Sequence, residues 1–423
     1  MSFVSAAVTD VGVVRERNED SYLCQDDIGL FVVADGMGGH AGGQEASATA
    51  VRVIGQRISD EYNVLVDLAK EGETWEVQAV LETAVQAANE AVCAMAAANP
   101  ELKDMGTTAS VLWICGNSAT IAHVGDSRIY LIRDGEAHVM TQDHSLLVEL
   151  VKQGRMTQEE ADGFPYPNAI SRRLGSAEGV EVDTFEFGLL SGDRLLVCSD
   201  GLYRFLDEGE VAPRLMSGPV EEVAPKLVQL AIQGGGDDNI TAVLLAVGEV
   251  PATDDTRRKI EIFEGMPLFL GLSHRQILRV LAATSMRHFQ TDQMVFEEGM
   301  LGDELFVILS GEVEVNKNGI VMATLDAGDA FGEMALVDES PRSANVRATL
   351  PTRMLVLTRD RLYATMGQDA DLGLKLLWNF LQMTIDRLRD TSQQLLCVKQ
   401  EQRAKEPRPS RPVPTGLSFR RSG

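Results

Sequence analysis

Between Thr74 and Asn99 apolar side chains return every three or four residues, at Val77, Leu81, Ala84, Ala88, Val92 and Met95. That spacing lays one stripe along a 3.6-residue period and predicts a long amphipathic helix, closed by Asn99-Pro100. The period then changes. Residues 109–115 and 120–124 are apolar runs of strand length, and 128–133 leads into Asp134-Gly135, a two-residue hairpin signal. Residues 193–198 and 240–247 read as further strands. No internal repeat is evident.

Residues 248–258, GEVPATDDTRR, are polar, carry a proline and have no period, which predicts a linker. Beyond it, Ser273 with Gln276 three residues on fits a capping box opening a short helix. Strand-like pieces follow at 294–296, 304–309, 312–316 and 320–324, with Asn318-Gly319 as a strong hairpin signal. Residues 361–396 read as helical, with Leu374, Leu377, Phe380 and Leu381 as the expected apolar face. The remainder, 397–423, is basic and proline-containing; from Lys399 on it holds seven Lys/Arg, two Glu and four Pro, a composition that predicts disorder.

The chain has 423 residues, 44% hydrophobic and 24% charged, enough globular material for two or three domains. Its net charge of −25 argues against nucleic-acid or anionic-membrane binding and suits divalent cations. Five dispersed cysteines read as reduced thiols of a cytosolic protein, and six histidines that do not cluster with them argue against zinc. The start, MSFVSAAVTD, has no basic segment leading into an apolar core, so no signal peptide is expected, and no run approaches the ~18 apolar residues that span a bilayer.

Against that background VVADGMGGHAGG, residues 32–43, stands out: an apolar run leads into a lone Asp35 and a set of glycines. A buried strand ending in a turn would explain it. So would a carboxylate aimed at a cation, with glycines letting backbone come close. Asp126, Asp200 and Asp238 recur in the same setting, at the ends of apolar segments beside turn residues, and Glu19-Asp20 lie upstream. Carboxylates that converge repel one another unless a cation neutralises them, and an all-oxygen set selects Mg2+ or Mn2+. Cys198, just before Asp200, reads as core.

These stretches fall in an order that resembles a known family. Arg15-x-x-x-Glu19-Asp20, VADGMGGHAGG, GTT at 106–108, VGDSRIY at 124–130, CSDGL at 198–202 and GGGDDNIT at 234–241 are similar to the motifs of the metal-dependent, type 2C serine/threonine protein phosphatases. The resemblance covers 1–247 and implies an α+β fold, a central antiparallel β-sandwich flanked by helices. It implies that Asp35 bridges two metals, with the Gly36 carbonyl on one of them. Asp200 and Asp238 complete the binuclear site, Glu19 holds metal-bound waters, and Asp20 supports the ligands from behind. Arg15 grips the phosphate; Arg17 fits the spacing less well. Asp126, with Asp200, holds a third, weaker metal as in bacterial members. Some members carry His directly after the Asp-Gly pair as proton donor; here that position is Met37, so the general acid is open between His40 and a metal-bound water. Residues 145–173 include the variable flap beside the site.

A second resemblance covers about 259–390, within a domain read as 259–396. FGEMALVDESPRSANV, residues 331–346, could be a turn on a small β domain with a Glu333–Arg342 surface pair, or a cradle for a phosphate. With PLFLGLS at 267–273 and FEEGMLGDELFVILSGEVEV at 296–315 it is similar to cyclic-nucleotide-binding domains, a β-roll with flanking helices. The likeness implies that Glu333 holds the ribose 2′-hydroxyl and Arg342 the cyclic phosphate, with Gly332, Met334 and Ser343 assisting. Leu377, Trp378 and Phe380 are the candidates for capping the base. Cyclic AMP is favoured over cyclic GMP.

The reading is therefore a cytoplasmic phosphatase with two Mn2+ or Mg2+ ions and room for a third. It acts on phosphoproteins made by serine/threonine kinases and is regulated in cis by a cyclic nucleotide. Nucleic acid and membrane are not expected partners. Two alternatives differ in class: a catalytically silent scaffold that senses nucleotide, and an active phosphatase whose second domain only dimerises.

Overall fold

The computed structural model describes residues 2–38, 42–152, 155–157, 160, 170–176, 179–251 and 253–405. Its first unit is built on twelve strands: β1 (Phe3–Asp10), β2 (Ser21–Gln25), β3 (Leu30–Ala34), β4 (Gly36–Met37), β5 (Gly106–Thr107), β6 (Ala109–Cys115), β7 (Ser118–Val124), β8 (Arg128–Arg133), β9 (Glu136–Val139), β10 (Asp183–Gly188), β11 (Arg194–Cys198) and β12 (Ile240–Val247). Two five-stranded antiparallel sheets, in the orders β1-β12-β11-β8-β9 and β10-β7-β6-β3-β2, stack face to face. β4 and β5 form a separate short pair.

Alternation along each strand explains the layers. In β3, Phe31 and Val33 enter the core between the sheets with Leu112, Ile129, Val197 and Val243. Leu30, Val32 and Ala34, on the opposite face, pack against helices Gly42–Asp60 and Thr74–Ala98. The outer face of the other sheet, with Ile132, Leu196, Cys198 and Leu244, is covered by helices Glu208–Leu215 and Val220–Gly234. Strands buried on both faces read as continuous apolar runs, which is why they were visible in the sequence. The expected turns form as well: Asp134 and Gly135, and Asn318 and Gly319, all take positive φ, the backbone a two-residue hairpin requires.

The second unit is a β-roll of β13 (Ser285–Phe289), β14 (Met294–Phe296), β15 (Glu304–Ser310), β16 (Glu312–Lys317), β17 (Ile320–Asp326), β18 (Ala330–Phe331), β19 (Asn345–Ala348) and β20 (Thr352–Thr358). They make two four-stranded sheets around Phe306, Ile308, Phe331, Val346 and Val356. Helix His274–Ala282 opens on the expected capping box, with both Ser273 and Gln276 bonds made.

The join between the units is more structured than a polar tether. Helix Thr253–Gly265 begins inside the segment read as a linker and carries Ile260 and Phe263 into the same apolar cluster as Phe185, Phe269 and Ile277. At its centre Arg133 and Asp193 form a buried two-point ion pair, at 3.0 and 2.6 Å. Arg133 also lies 3.5 Å from Nε2 of His274, whose ring stacks on His138 at 4.2 Å. Arg279 sits 4.9 Å from the Phe185 ring, and Arg353 bonds Asp255 at 2.7 Å.

At the C-terminus two helices, Arg359–Gln368 and Ala370–Lys405, replace the single helix expected over 361–396, and the second continues into the segment read as disordered. The expected apolar face is corrected. Leu372 and Leu376 are buried, whereas Leu374, Leu377, Trp378 and Leu381 are exposed and only Phe380 packs against the core. The docking contact with Pro267–Phe269, where Asn379 donates to the carbonyls of Leu268 and Leu270 at 3.0 and 2.8 Å, turns that stripe outward.

Removing one member of a buried ion pair leaves an uncompensated charge and costs about 3–5 kcal/mol, whereas an exposed pair contributes ~0–1 kcal/mol. Asp193→Ala should therefore lower unfolding stability in denaturant by that larger amount. Glu222→Ala, which breaks the exposed pair with Lys226, should leave the midpoint nearly unchanged.

Candidate active site

The carboxylates named from the sequence meet at one end of the sandwich. Asp35 leaves β3, Asp200 follows β11, and Asp238 precedes β12, so three strand ends deliver three side chains to one place. Together with Arg15, Glu19, Gly36 and Asp126 they line a cavity of about 720 Å³. Gly36 is required by proximity: a Cβ there would lie 2.5 Å from the Glu19 carbonyl oxygen. The Asp35 backbone is pinned on both sides, its N–H donating to Thr108 Oγ1 and its carbonyl accepting from Thr107 Oγ1, each at 2.9 Å.

Electrostatics in the cavity are dominated by burial and like charge. Burial, then Asp20, Asp200, Asp126 and Asp238, hold the Asp35 carboxyl far above the ordinary carboxylate range. Asp20 and Asp126 are each pushed up to about 7, chiefly by burial. Burial also raises Glu19. Asp20 accepts from Ser199 Oγ at 2.7 Å and Thr241 Oγ1 at 2.6 Å through one oxygen, while its other oxygen is buried without a partner. Asp200 Oδ1 is likewise buried and unpartnered.

As the side chains stand, no three His, Cys, Asp or Glu among the described residues are gathered closely enough to enclose an ion, and arginines hold two of the carboxylates. Arg15 bonds Asp238 at 2.8 Å and Arg204 pairs with Asp200. The donor set nevertheless fits hard cations. It is all oxygen, it repels itself, and two buried oxygens have nothing to accept from. Divalent ions would relieve all three conditions.

His40, one of the two candidates for the general acid, lies outside the described residues. So does much of the expected flap, although Ile170 and Arg173 reach the cavity wall. Two participants were not singled out from the sequence. Asn239, almost fully buried, clips the Arg15–Glu19 loop down. Its Oδ1 accepts from the Glu19 N–H at 2.8 Å and its Nδ2 donates to the carbonyls of Val11 and Arg17, both at 2.9 Å. Arg204 stands four residues after Asp200, a spacing that on a helical turn puts the two side chains together.

In the β-roll, Gly332, Glu333, Met334, Arg342 and Ser343 line a second cavity of about 200 Å³. Arg342 is almost buried. It donates to the carbonyls of Glu304 and Gly332 at 3.0 and 3.3 Å, and its guanidinium lies 4.2 Å from the Phe296 ring centre. Its Nε is buried with no partner. Gly332 takes φ +81°, and a Cβ there would come within 2.8 Å of Arg342 Nη1. The base-capping expectation is corrected: Leu377, Trp378 and Phe380 do not line this cavity.

Comparison with known proteins bears directly on both cavities. Residues 14–227 match the family model of protein phosphatase 2C, and residues 286–369 match that of the cyclic nucleotide-binding domain. The chain belongs to the protein phosphatase 2C family. It is 38% identical over 242 residues to the serine/threonine protein phosphatase PstP of Mycobacterium tuberculosis, covering 57% of this chain and 44% of that one. This chain thus spans less than half the length of that relative. With the serine/threonine phosphatase stp of Listeria innocua the identity is 37%, over 56% of this chain and 93% of the other. A solved structure of the PstP catalytic domain in complex with two manganese ions superposes with a TM-score of 0.50 at 37% identity, covering 58% of this chain and 99% of that one. Apart from Asp238, the carboxylates of the first cavity lie within the residues matched to protein phosphatase 2C, and the lining of the second lies within those matched to the cyclic nucleotide-binding domain. No helix among the described residues is long and apolar enough to cross a membrane.

Asn239→Ala removes three hydrogen bonds and strands two carbonyls. At about 1 kcal/mol per bond it should cost ~2–3 kcal/mol. Amide exchange at Glu19 should quicken more than exchange in β6; equal protection at both would mean that Asn239 does not hold the loop.

Proposed function

We propose that the chain is a protein serine/threonine phosphatase that holds two divalent cations, Mn2+ or Mg2+, through Asp35, the Gly36 carbonyl, Asp200 and Asp238, with Glu19 beside them. The observation that supports this most is the convergence of Glu19, Asp35, Asp126, Asp200 and Asp238 on one cavity, with Asp200 Oδ1 buried and unpartnered and Arg15 in the same lining. When bound, such ions supply a water acidic enough to yield hydroxide near neutral pH and neutralise charge on the phosphoryl group.

The chain's own residues account for the rest. Arg15 is half-exposed, so its fork can exchange Asp238 for the phosphate oxygens of a phosphoserine or phosphothreonine without losing an anionic partner. Ser199 and Thr241 fix one Asp20 oxygen and leave the other buried without a partner. Met37 has no proton to give, so protonation of the leaving oxygen falls to His40 or to water. Cys198 is fully buried and burial pushes its thiol up to about 12, so it is no nucleophile. Substrates are phosphoproteins made by serine/threonine kinases. A cytoplasmic site of action suits the four free cysteines among the described residues.

The second unit, in the same reading, binds a cyclic nucleotide, cyclic AMP in preference to cyclic GMP. Arg342 takes the cyclic phosphate, for which its unpartnered Nε is the supporting observation. Glu333 takes the ribose 2′-hydroxyl, and Gly332, Met334 and Ser343 complete the contact. Regulation in cis follows if the nucleotide binds one arrangement of the two units more tightly than another, and the shared cluster around Phe185, Phe263 and Ile277 is the medium through which it would act.

Asp35→Asn should lower Mn2+-dependent hydrolysis of a phosphothreonine peptide by about a hundredfold or more, the scale of several kcal/mol of lost charge stabilisation. Wild-type turnover in that variant would sink the assignment. Arg342→Ala should weaken cyclic AMP binding, measured by calorimetry on the full chain, by about ten- to a hundredfold, as expected for a charge-assisted contact of ~1.5–3 kcal/mol. Undiminished binding would contradict the cradle.

A further inference from the structure

Asp126 and Asp200 were read from the sequence as the holders of a third, weaker metal ion. The structure puts a cation of the chain's own beside them. Arg204 ends the one-turn helix Asp200–Tyr203, and its guanidinium folds back to pair with Asp200 Oδ2. The two Asp200 oxygens are thereby divided: Oδ2 meets the arginine, and Oδ1 is buried without a partner. Asp126, almost buried, lines the same cavity, and the Arg204 charge acts on it too, against the repulsion from Asp200 and Asp143.

The turn that ends in Arg204 is braced at Tyr203. Arg128 lies 3.9 Å from the ring centre of neighbouring Tyr203 and makes a two-point pair with Asp143, through Nε at 3.0 Å and Nη2 at 2.7 Å. The turn carrying the guanidinium is thus tied to β8 through Tyr203, and a dication entering at Asp126 would meet the positive charge that Asp200 holds there.

We propose that Arg204 takes the place of a third metal ion at the Asp126–Asp200 pair, so that the centre accepts two divalent cations and no more. This rests on the reading of the cavity as a divalent-metal centre. A guanidinium keeps its charge at every physiological pH and cannot be removed by a chelator, so this part of the charge balance is permanent while the other two ions exchange. Sequence alone pointed the other way, because both carboxylates of the third site are present and Arg204 lies outside the matching motifs.

The test counts Mn2+ bound per chain to the metal-stripped full-length protein, by the electron paramagnetic resonance of free Mn2+ during titration. Wild type should take up two equivalents. Arg204→Ala should add a third, weaker equivalent, and Arg204→Ala with Asp126→Ala should return the count to two. Arg204→Lys, which keeps the charge, should stay at two and serves as the folded control. A wild type that takes three equivalents and loses one on Asp126→Ala overturns the proposal, as does an Arg204→Ala chain that stays at two. If that variant fails to fold, Arg204→Gln is titrated in its place and judged by the same counts. The metal centre itself is judged separately: Asp35→Asn must abolish the tight pair in every background. A wild type that binds no Mn2+ tightly overturns that reading and this one with it.

Discussion

Repulsion among carboxylates crowded at one end of a β-sandwich is the constraint on which the phosphatase unit depends. Asp20, Asp126 and Asp200 are buried with Asp35 partly buried among them, and their like charges raise the energy of ionising one another. Such a cluster survives only if something positive comes with it. Arg15 and Arg204 provide part of that charge from within the chain, and the unpartnered oxygens of Asp20 and Asp200 mark where more is needed. The surrounding fold supplies rigidity. Strand ends fix Asp35 and Asp200, hydroxyls of Thr107, Ser199 and Thr241 donate to backbone or carboxylate oxygens, the Thr108 hydroxyl accepts from the Asp35 N–H, and Asn239 anchors the loop that bears Arg15 and Glu19.

The nucleotide-binding unit repeats the logic with the sign reversed. There a buried arginine is held by two carbonyls and an aromatic ring, none of which neutralises it. The carboxylates of Glu304, Asp303 and Glu333 act on its charge from nearby. The two cavities belong to units that share one apolar cluster, and Arg133, held in the first unit by its buried pair with Asp193, lies 3.5 Å from His274 of the second. That shared core is the physical basis for treating the chain as one packed molecule and not two tethered units.

Much of this was legible in the sequence. The amphipathic helix Thr74–Ala98, the buried strands and both Asn-Gly and Asp-Gly hairpins follow from local period and turn chemistry, and motif order located Asp35, Asp200, Asp238, Glu333 and Arg342. What was hidden depends on partners far along the chain. Helix Thr253–Gly265 has a polar first half, and its apolar residues gain meaning only against Phe185 and Ile277. The outward turn of Leu374 and Leu377 follows from where Asn379 docks, which no spacing reveals. Asn239 reads as a turn residue until its contacts with Val11, Arg17 and Glu19 are seen. Arg204 was within reach, since i to i+4 pairing after Asp200 is a local rule, but a helix of one turn gives too short a pattern to signal it.

The central claim is that the carboxylate cluster is balanced by bound cations. It is tested most directly by the unfolding of the metal-stripped full-length chain at pH 7.5 with and without Mn2+. A ligand bound by the folded state alone adds about 2.7 kcal/mol of stability at a hundred times its dissociation constant. The account predicts a rise of that order with Mn2+ in the wild type and its loss in Asp35→Asn. A midpoint that does not move with Mn2+ would contradict it.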